Sequence, residues 1–200
     1  ACAKTNTKFI FVSTTSVYGT TNEILDENYT DDELKPQSPY AKSKLLAENS
    51  LFELSNKYES FRFIICRFGT IFGTSIGMRF HTAINKFIWQ AVMDDPISVW
   101  ATALNQRRPY LSLNDAFRAL LFIINKDNFS NQIYNVLSIN ATVNEIIEEI
   151  KKYIPAVKIN FVESKIMNQL SYTVSNKKFT DLGFEFKDTI NEIVETIEIL

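Results

Sequence analysis

The sequence predicts an α/β protein built on a parallel sheet. Two short runs, Lys8-Phe9-Ile10-Phe11-Val12-Ser13 and Phe61-Arg62-Phe63-Ile64-Ile65-Cys66-Arg67, are apolar on successive residues, as strands covered on both faces are. A long helical stretch with its own start signal separates them. A strand, a helical crossover and a second strand form the unit from which parallel sheets are made.

Each element follows from local pattern. The first strand opens the chain after a short polar lead. A polar stretch from Thr20 to Gln37 then reads as a long loop, and loops of that length in compact domains tend to carry function. Ser38-Pro39 starts the next element: serine suits the N-cap and proline the first helical position, giving a helix over Tyr40–Tyr58. After the second strand, Gly69, Gly73 and Gly77 punctuate a loop. Further elements are a helix over about Phe80–Met93, a strand at Ile97–Trp100, an extended piece at Arg108–Ser112 and a helix from Ser112-x-x-Asp115 to Ile124. Gln132–Leu137 reads as a strand. Thr142-x-x-Glu145 has the spacing of a capping box and opens a helix to Tyr153. Val157–Val162 is a strand, a short helix near Asn176–Leu182 is stopped by Gly183, and an amphipathic helix runs from about Asp188 onward.

Bulk properties narrow the function. Of the 200 residues, 46% are hydrophobic and 22% charged, with a net charge of −2. This balance belongs to a globular domain rather than a disordered one, and it gives no basic surface to attract nucleic acid. No apolar run approaches the length that spans a bilayer, so no membrane partner is expected. Nor does the first stretch resemble a signal peptide. Two cysteines, Cys2 and Cys66, make no disulfide framework, which points to the cytoplasm. With one histidine, His81, neither a Cys/His metal centre nor a serine-protease triad is expected.

Tyr40 and Lys44 are the first candidates for chemistry. Four residues apart on a helix, they share one face. A free phenol loses its proton only near pH ~10, and an ammonium close by favours the phenolate. Such a pair can take a proton from an alcohol. The lysine's remaining donors can reach further hydroxyls. In isolation the pair is a weak signal, because the chain has 8 tyrosines.

The surrounding motifs are more specific. The first strand runs into Ser13-Thr-Thr-Ser-Val-Tyr-Gly19. Ser38-Pro-Tyr-Ala-Lys-Ser-Lys44 follows a loop later. Arg67-Phe-Gly-Thr-Ile-Phe-Gly73 follows the second strand, Gln106-Arg-Arg-Pro-Tyr-Leu-Ser-Leu-Asn-Asp115 precedes a helix, and Asp181-Leu-Gly-Phe184 lies near the end. Together these resemble the extended short-chain dehydrogenase/reductases, the NAD-dependent epimerase/dehydratase family, over nearly the whole chain.

The resemblance implies a set of roles. Thr14, Tyr40 and Lys44 would form the catalytic group. Tyr40, Lys44 and Phe68 would lie at the NAD (or NADP) nicotinamide, and Thr14, Arg79 and Arg108 at a nucleotide-sugar substrate. Arg108 would grip the diphosphate with a planar fork of donors, with Arg107 beside it as the alternative. No metal is implied. A homodimer is expected through the Tyr40–Tyr58 helix, with Leu51, Leu54 and Tyr58 as candidate contacts.

Two departures from the family pattern matter. The family's first half carries a glycine-rich turn that brings backbone N–H groups to the cofactor pyrophosphate. The present 200 residues hold 5 glycines and no such turn; Gly69–Gly77 has the wrong spacing and place. The chain is therefore expected to correspond to the C-terminal half of a Rossmann-type parallel sheet plus a smaller α/β substrate-binding domain, either as a fragment or with a separate chain supplying the N-terminal half, and to bind NAD weakly alone. The expected division is 1–77 with 113–140 for the sheet domain and 78–112 with 141–200 for the substrate domain. Second, the dehydratase branch has Asp-Glu after its catalytic threonine, where this chain has Thr15 and Ser16. Neither is a base at neutral pH, which favours epimerisation, with a reductase, a dehydratase or a non-catalytic module on the same fold as alternatives.

Overall fold

A computed structural model describes residues 1–20, 23–30, 32–163, 171–187 and 189–200. A four-residue helix, α1 (Cys2–Thr5), closes on Asn6 in the left-handed region at φ 54° and leads into β1 (Phe9–Thr14). The loop after β1 contains a two-residue strand, β2 (Ile24–Leu25). Helix α2 (Pro39–Lys57) starts as its sequence predicts: the Ala41 amide donates to Ser38 Oγ, and proline fills the first turn. Strand β3 (Phe63–Phe68) is buried at every residue.

The glycine-punctuated stretch that reads as a loop contains a short strand, β4 (Thr70–Phe72). Helix α3 (Ala83–Val92) begins three residues later than the apolar pattern indicates, because residues 79–82 form a turn in which Thr82 Oγ1 donates to the Arg79 carbonyl at 3.0 Å. Then come β5 (Ile97–Trp100), β6 (Arg107–Ser112), α4 (Leu113–Lys126) and β7 (Gln132–Val136). Strand β8 (Ile139–Thr142) leads into α5 (Val143–Tyr153), and both halves of the Thr142/Glu145 capping box form. The remaining elements are β9 (Ile159–Val162), β10 (Thr173–Val174), α6 (Lys177–Thr180) and α7 (Thr189–Ile199).

The central sheet is parallel with order β1-β3-β7, made from the two apolar runs and the Gln132–Leu137 stretch that reads as a strand. A second sheet, β4-β6-β8, mixes parallel and antiparallel pairs, and β5-β9 and β10-β2 are two-stranded. The fold class is α/β. Ile64, Cys66, Ala119, Ile123 and Val136 form a core between the central sheet and α4. Phe179 and Phe184, from the stretch assigned by sequence to the substrate-covering part, pack into this core. A second core joins α3 and α5 to β5 and Ile193 of α7.

Leu51, expected as an interface contact on α2, is instead 8% exposed and packs with Phe61, Phe63 and Ile65. Its face of the helix turns inward onto the sheet. Leu54 remains 38% exposed. Among the described residues no helix is long and apolar enough to cross a membrane, and no group of three or more His, Cys, Asp or Glu is gathered as metal ligands.

Candidate active site

The carboxyl ends of β1 and β3 lie side by side, with Ser13 opposite Arg67 and Thr14 opposite Phe68. A cavity of about 610 Å³ opens there, lined by Thr14, Ser16, Tyr40, Phe68, Arg79 and Asn85 among others. Its volume is in the range that holds a small-molecule ligand. Of the six residues singled out from sequence, Thr14, Tyr40, Phe68 and Arg79 line this one cavity.

Lys44 stands behind them. Its Nζ donates to the Val12 carbonyl at 2.7 Å and lies 5.8 Å from the centre of the Tyr40 ring and 4.9 Å from that of Phe11. Helical spacing therefore brings the pair together as the sequence predicts. Tyr40 is 56% exposed, because it sits in the first turn of α2 where the helix reaches past the sheet.

Thr14 ends β1 and caps the 3-10 turn over Thr15–Val17: its Oγ1 accepts from the Ser16 amide at 3.2 Å and donates to Ser16 Oγ at 3.1 Å. Thr15 points away from the cavity. Its hydroxyl donates to the Phe68 carbonyl and lies 3.3 Å from the Tyr172 hydroxyl. Among the described residues, none that lines this cavity carries a carboxylate.

Arg108 lines a different cavity. About 260 Å³ in volume, it is bounded by His81, Lys86, Trp100, Gln106, Arg108 and Tyr110. Arg107 is held by Glu145 at 2.7 Å and by the Asn140 carbonyl at 2.8 Å, and Arg108 lines the second cavity. The stretch 79–83 runs between the two cavities, with Arg79 and Thr82 on the first and His81 and Ala83 on the second.

Two groups of residues were not singled out from sequence. Asn85, 3% exposed, braces the cavity wall: its Oδ1 accepts from the Gly73 amide at 3.0 Å and its Nδ2 donates to the Arg79 carbonyl at 3.3 Å. Beneath the cavity floor lies a buried polar network. Arg67 donates through Nη2 to Glu48 Oε2 at 2.7 Å and through Nε to both carboxylate oxygens at 3.2 Å. Ser13 Oγ donates to the same carboxylate. The Arg67 guanidinium stacks 4.8 Å from the centre of the Tyr18 ring, and the Tyr18 hydroxyl donates to Asn135 Oδ1 at 2.9 Å. Burial pushes the Tyr18 phenol up to about 12, against the pull of Arg67. Charged residues inside apolar runs were the available signal: Arg67 ends a run of aliphatic residues, and Glu48 is four residues past Lys44.

Known proteins resemble this chain in both sequence and shape. A family model described as the NAD dependent epimerase/dehydratase family matches residues 1–136. The dTDP-D-glucose 4,6-dehydratase of Bos taurus is 29% identical over 202 residues, covering 96% of this chain and 55% of that protein. The crystal structure of dTDP-glucose 4,6-dehydratase from Bacillus anthracis in complex with NAD superposes with a TM-score of 0.83 at 22% identity, over 98% of this chain and 63% of that one. That of Thermus thermophilus UDP-glucose 4-epimerase with NAD gives 0.82 at 21% identity, over 98% and 65%. The chain spans about half the length, or less, of the curated relatives it matches.

Proposed function

The chain belongs to the NAD-dependent epimerase/dehydratase family, and on that premise we propose that it carries the substrate side and the proton-transfer group of an NAD-dependent nucleotide-sugar epimerase. One observation carries the reading: Thr14 and Tyr40 line a single ligand-sized cavity with the Lys44 ammonium one helical turn behind the phenol.

The roles follow from the chemistry of each side chain. Tyr40 is the proton acceptor for a sugar hydroxyl and returns the proton later in the cycle. A positive charge at Lys44 stabilises negative charge on the phenolic oxygen. Thr14 steers the reacting oxygen, since a hydroxyl can accept from an alcohol and donate to a carbonyl; it would exchange its bond to Ser16 Oγ for one to substrate. Arg108 in the second cavity, whose lining includes the aromatic residues Trp100 and Tyr110, suits the diphosphate and base of a nucleotide. Arg79 lines the first cavity, on the stretch 79–83 that borders both.

The cavity fits the nicotinamide end of NAD. Phe68 offers an apolar wall, Tyr40 is exposed to the cavity, and Lys44 has donors beyond the one used by Val12. When bound, NAD would supply reversible hydride acceptance from a sugar carbon. No glycine-rich turn for its pyrophosphate occurs in these 200 residues, so that part of the site would come from further sequence, on the same polypeptide or a separate chain. A homodimer and a cytoplasmic location belong to the same proposal.

Epimerisation is preferred to dehydration because removing water from a sugar needs an acid and a base beside the proton acceptor. Thr15 is turned away and Ser16 is not a base. The test is turnover of UDP- and dTDP-hexoses with NAD by the protein together with the cofactor-binding half, with products separated by chromatography. A C4 epimer is expected, and Tyr40→Phe should remove activity while circular dichroism and Tm stay unchanged. A 4-keto-6-deoxy product would replace epimerase by dehydratase. Undiminished turnover in Tyr40→Phe would end the enzyme reading.

A further inference from the structure

The Ser13–Glu48–Arg67 network lies one residue below the reacting groups: Ser13 borders the cavity they share, and Glu48 and Arg67 lie behind it. Glu48 is 0% exposed, Arg67 1% and Ser13 2%. The three come from three separate elements: β1, α2 and β3. Isolated buried charges are costly, and replacing such a pair by apolar residues of similar volume is often neutral or stabilising. Stability alone therefore does not account for it. An apolar contact already holds α2 to the sheet, through Leu51 with Phe63 and Ile65 and through Phe52. That contact is non-directional: it keeps the helix on the sheet without fixing how far along β1 it sits.

A hydrogen-bonded ion pair does fix this. Glu48 accepts from Arg67 at defined angles, and Arg67 is in register with Ser13, which donates to the same carboxylate. Tyr40, Lys44 and Glu48 recur every four residues along one face of α2, at about 6 Å per step. An anchored Glu48 therefore sets the height of Lys44 against the Val12 carbonyl and of Tyr40 beside Thr14. We infer that Ser13, Glu48 and Arg67 are positioning residues that lock the axial register of α2 on β1, so that Tyr40 and Lys44 meet the substrate oxygen held by Thr14. The inference rests on the proposed reaction for its purpose, but its geometric content stands on the chain alone. Misplacement of a reacting group by about 1 Å can cost about 100-fold in rate.

The test uses two variants that should fold. Ser13→Ala keeps the ion pair and removes the tie to β1. The double substitution Glu48→Met with Arg67→Met fills the space without charge. Lys44 acylation by acetic anhydride is measured by mass spectrometry, with the surface Lys151 as internal reference and Tm as a check on folding. Lys44 should label severalfold faster in both variants at near-normal Tm, and kcat should fall by about tenfold or more with KM for the nucleotide sugar little changed. Lys44 labelling as slow as in the parent, in folded variants, overturns the inference whatever the turnover. The labelling needs neither cofactor nor substrate. Faster labelling in a protein without turnover would thus uphold the register lock while counting against the proposed reaction.

Discussion

The Lys44 ammonium donates to the carbonyl of Val12 at 2.7 Å, so the cation proposed to serve Tyr40 is also the clasp between α2 and the end of β1. Removing it should separate the two effects. Lys44→Met keeps the length of the side chain and its packing on Phe11, and loses the charge and the clasp. Turnover should fall by about 100-fold or more, the scale of losing a preorganised electrostatic contact. Stability should fall by only about 1 kcal/mol, the net worth of one hydrogen bond. Steady-state kinetics with denaturant melts check both numbers, and a loss of activity explained wholly by unfolding would refute the division.

The two thiols should differ sharply. Cys66 lies in the middle of the central sheet, fully buried, and burial pushes its thiol up to about 12. The thiolate is the reactive species, so at pH 8 only roughly one molecule in 10⁴ would carry it at this position. Titration of the native protein with a disulfide reagent should modify the half-buried Cys2 alone, and the second equivalent should appear only in denaturant. Fast reaction of Cys66 in the native state would show that the β1-β3-β7 sheet opens readily.

Much of the frame was legible in the sequence, for physical reasons specific to each element. β3 is buried on both faces, so it writes a continuous apolar run. α2 has a serine and proline at its start, and α5 has both members of its capping box. The strands not read from the sequence are short: β2 and β10 pair over two residues each, β4 over three and β8 over four, too few for a clear period to register. Within the site, Thr14 and Tyr40 were legible because they stand in dense motifs. Asn85 and the Glu48–Arg67 pair were not, since their meaning lies in contacts between residues 6 to 19 positions apart.

Gly19 offers a test of the turn that follows the cavity floor. Its φ is +80°, and a Cβ there would stand 2.3 Å from the Lys35 carbonyl oxygen. That oxygen belongs to the backbone next to Tyr18, whose carbonyl accepts from the Lys35 amide at 3.3 Å, so it has little freedom to retreat. Gly19→Ala should cost at least about 1–3 kcal/mol, the usual scale of a strained backbone position, and lower Tm by several degrees. An unchanged Tm would mean that the loop over 20–37 relocates freely.

Glu27 should make the protein less stable as pH rises through the carboxylate range. Its Oε1 accepts from the Asn135 amide at 2.6 Å at the edge of the central sheet. Burial raises its pKa above the ordinary 4.5, and the bond from Asn135 only partly opposes this. A carboxyl with a raised folded pKa holds its proton longer in the native state than in the unfolded one. Between the two values the native state binds more protons, so stability declines as pH climbs from 4.5 to the folded value and stays lower above it. Glu27→Gln keeps an oxygen to accept from Asn135 and removes the titration. At about pH 3, where the parent side chain is protonated in both states, the variant should melt with the parent. At pH 7 it should melt higher, with the gap opening across the intervening range. A variant that melts lower than the parent at pH 7 would mean that the ionised carboxylate gains more from the Asn135 amide than it loses by burial.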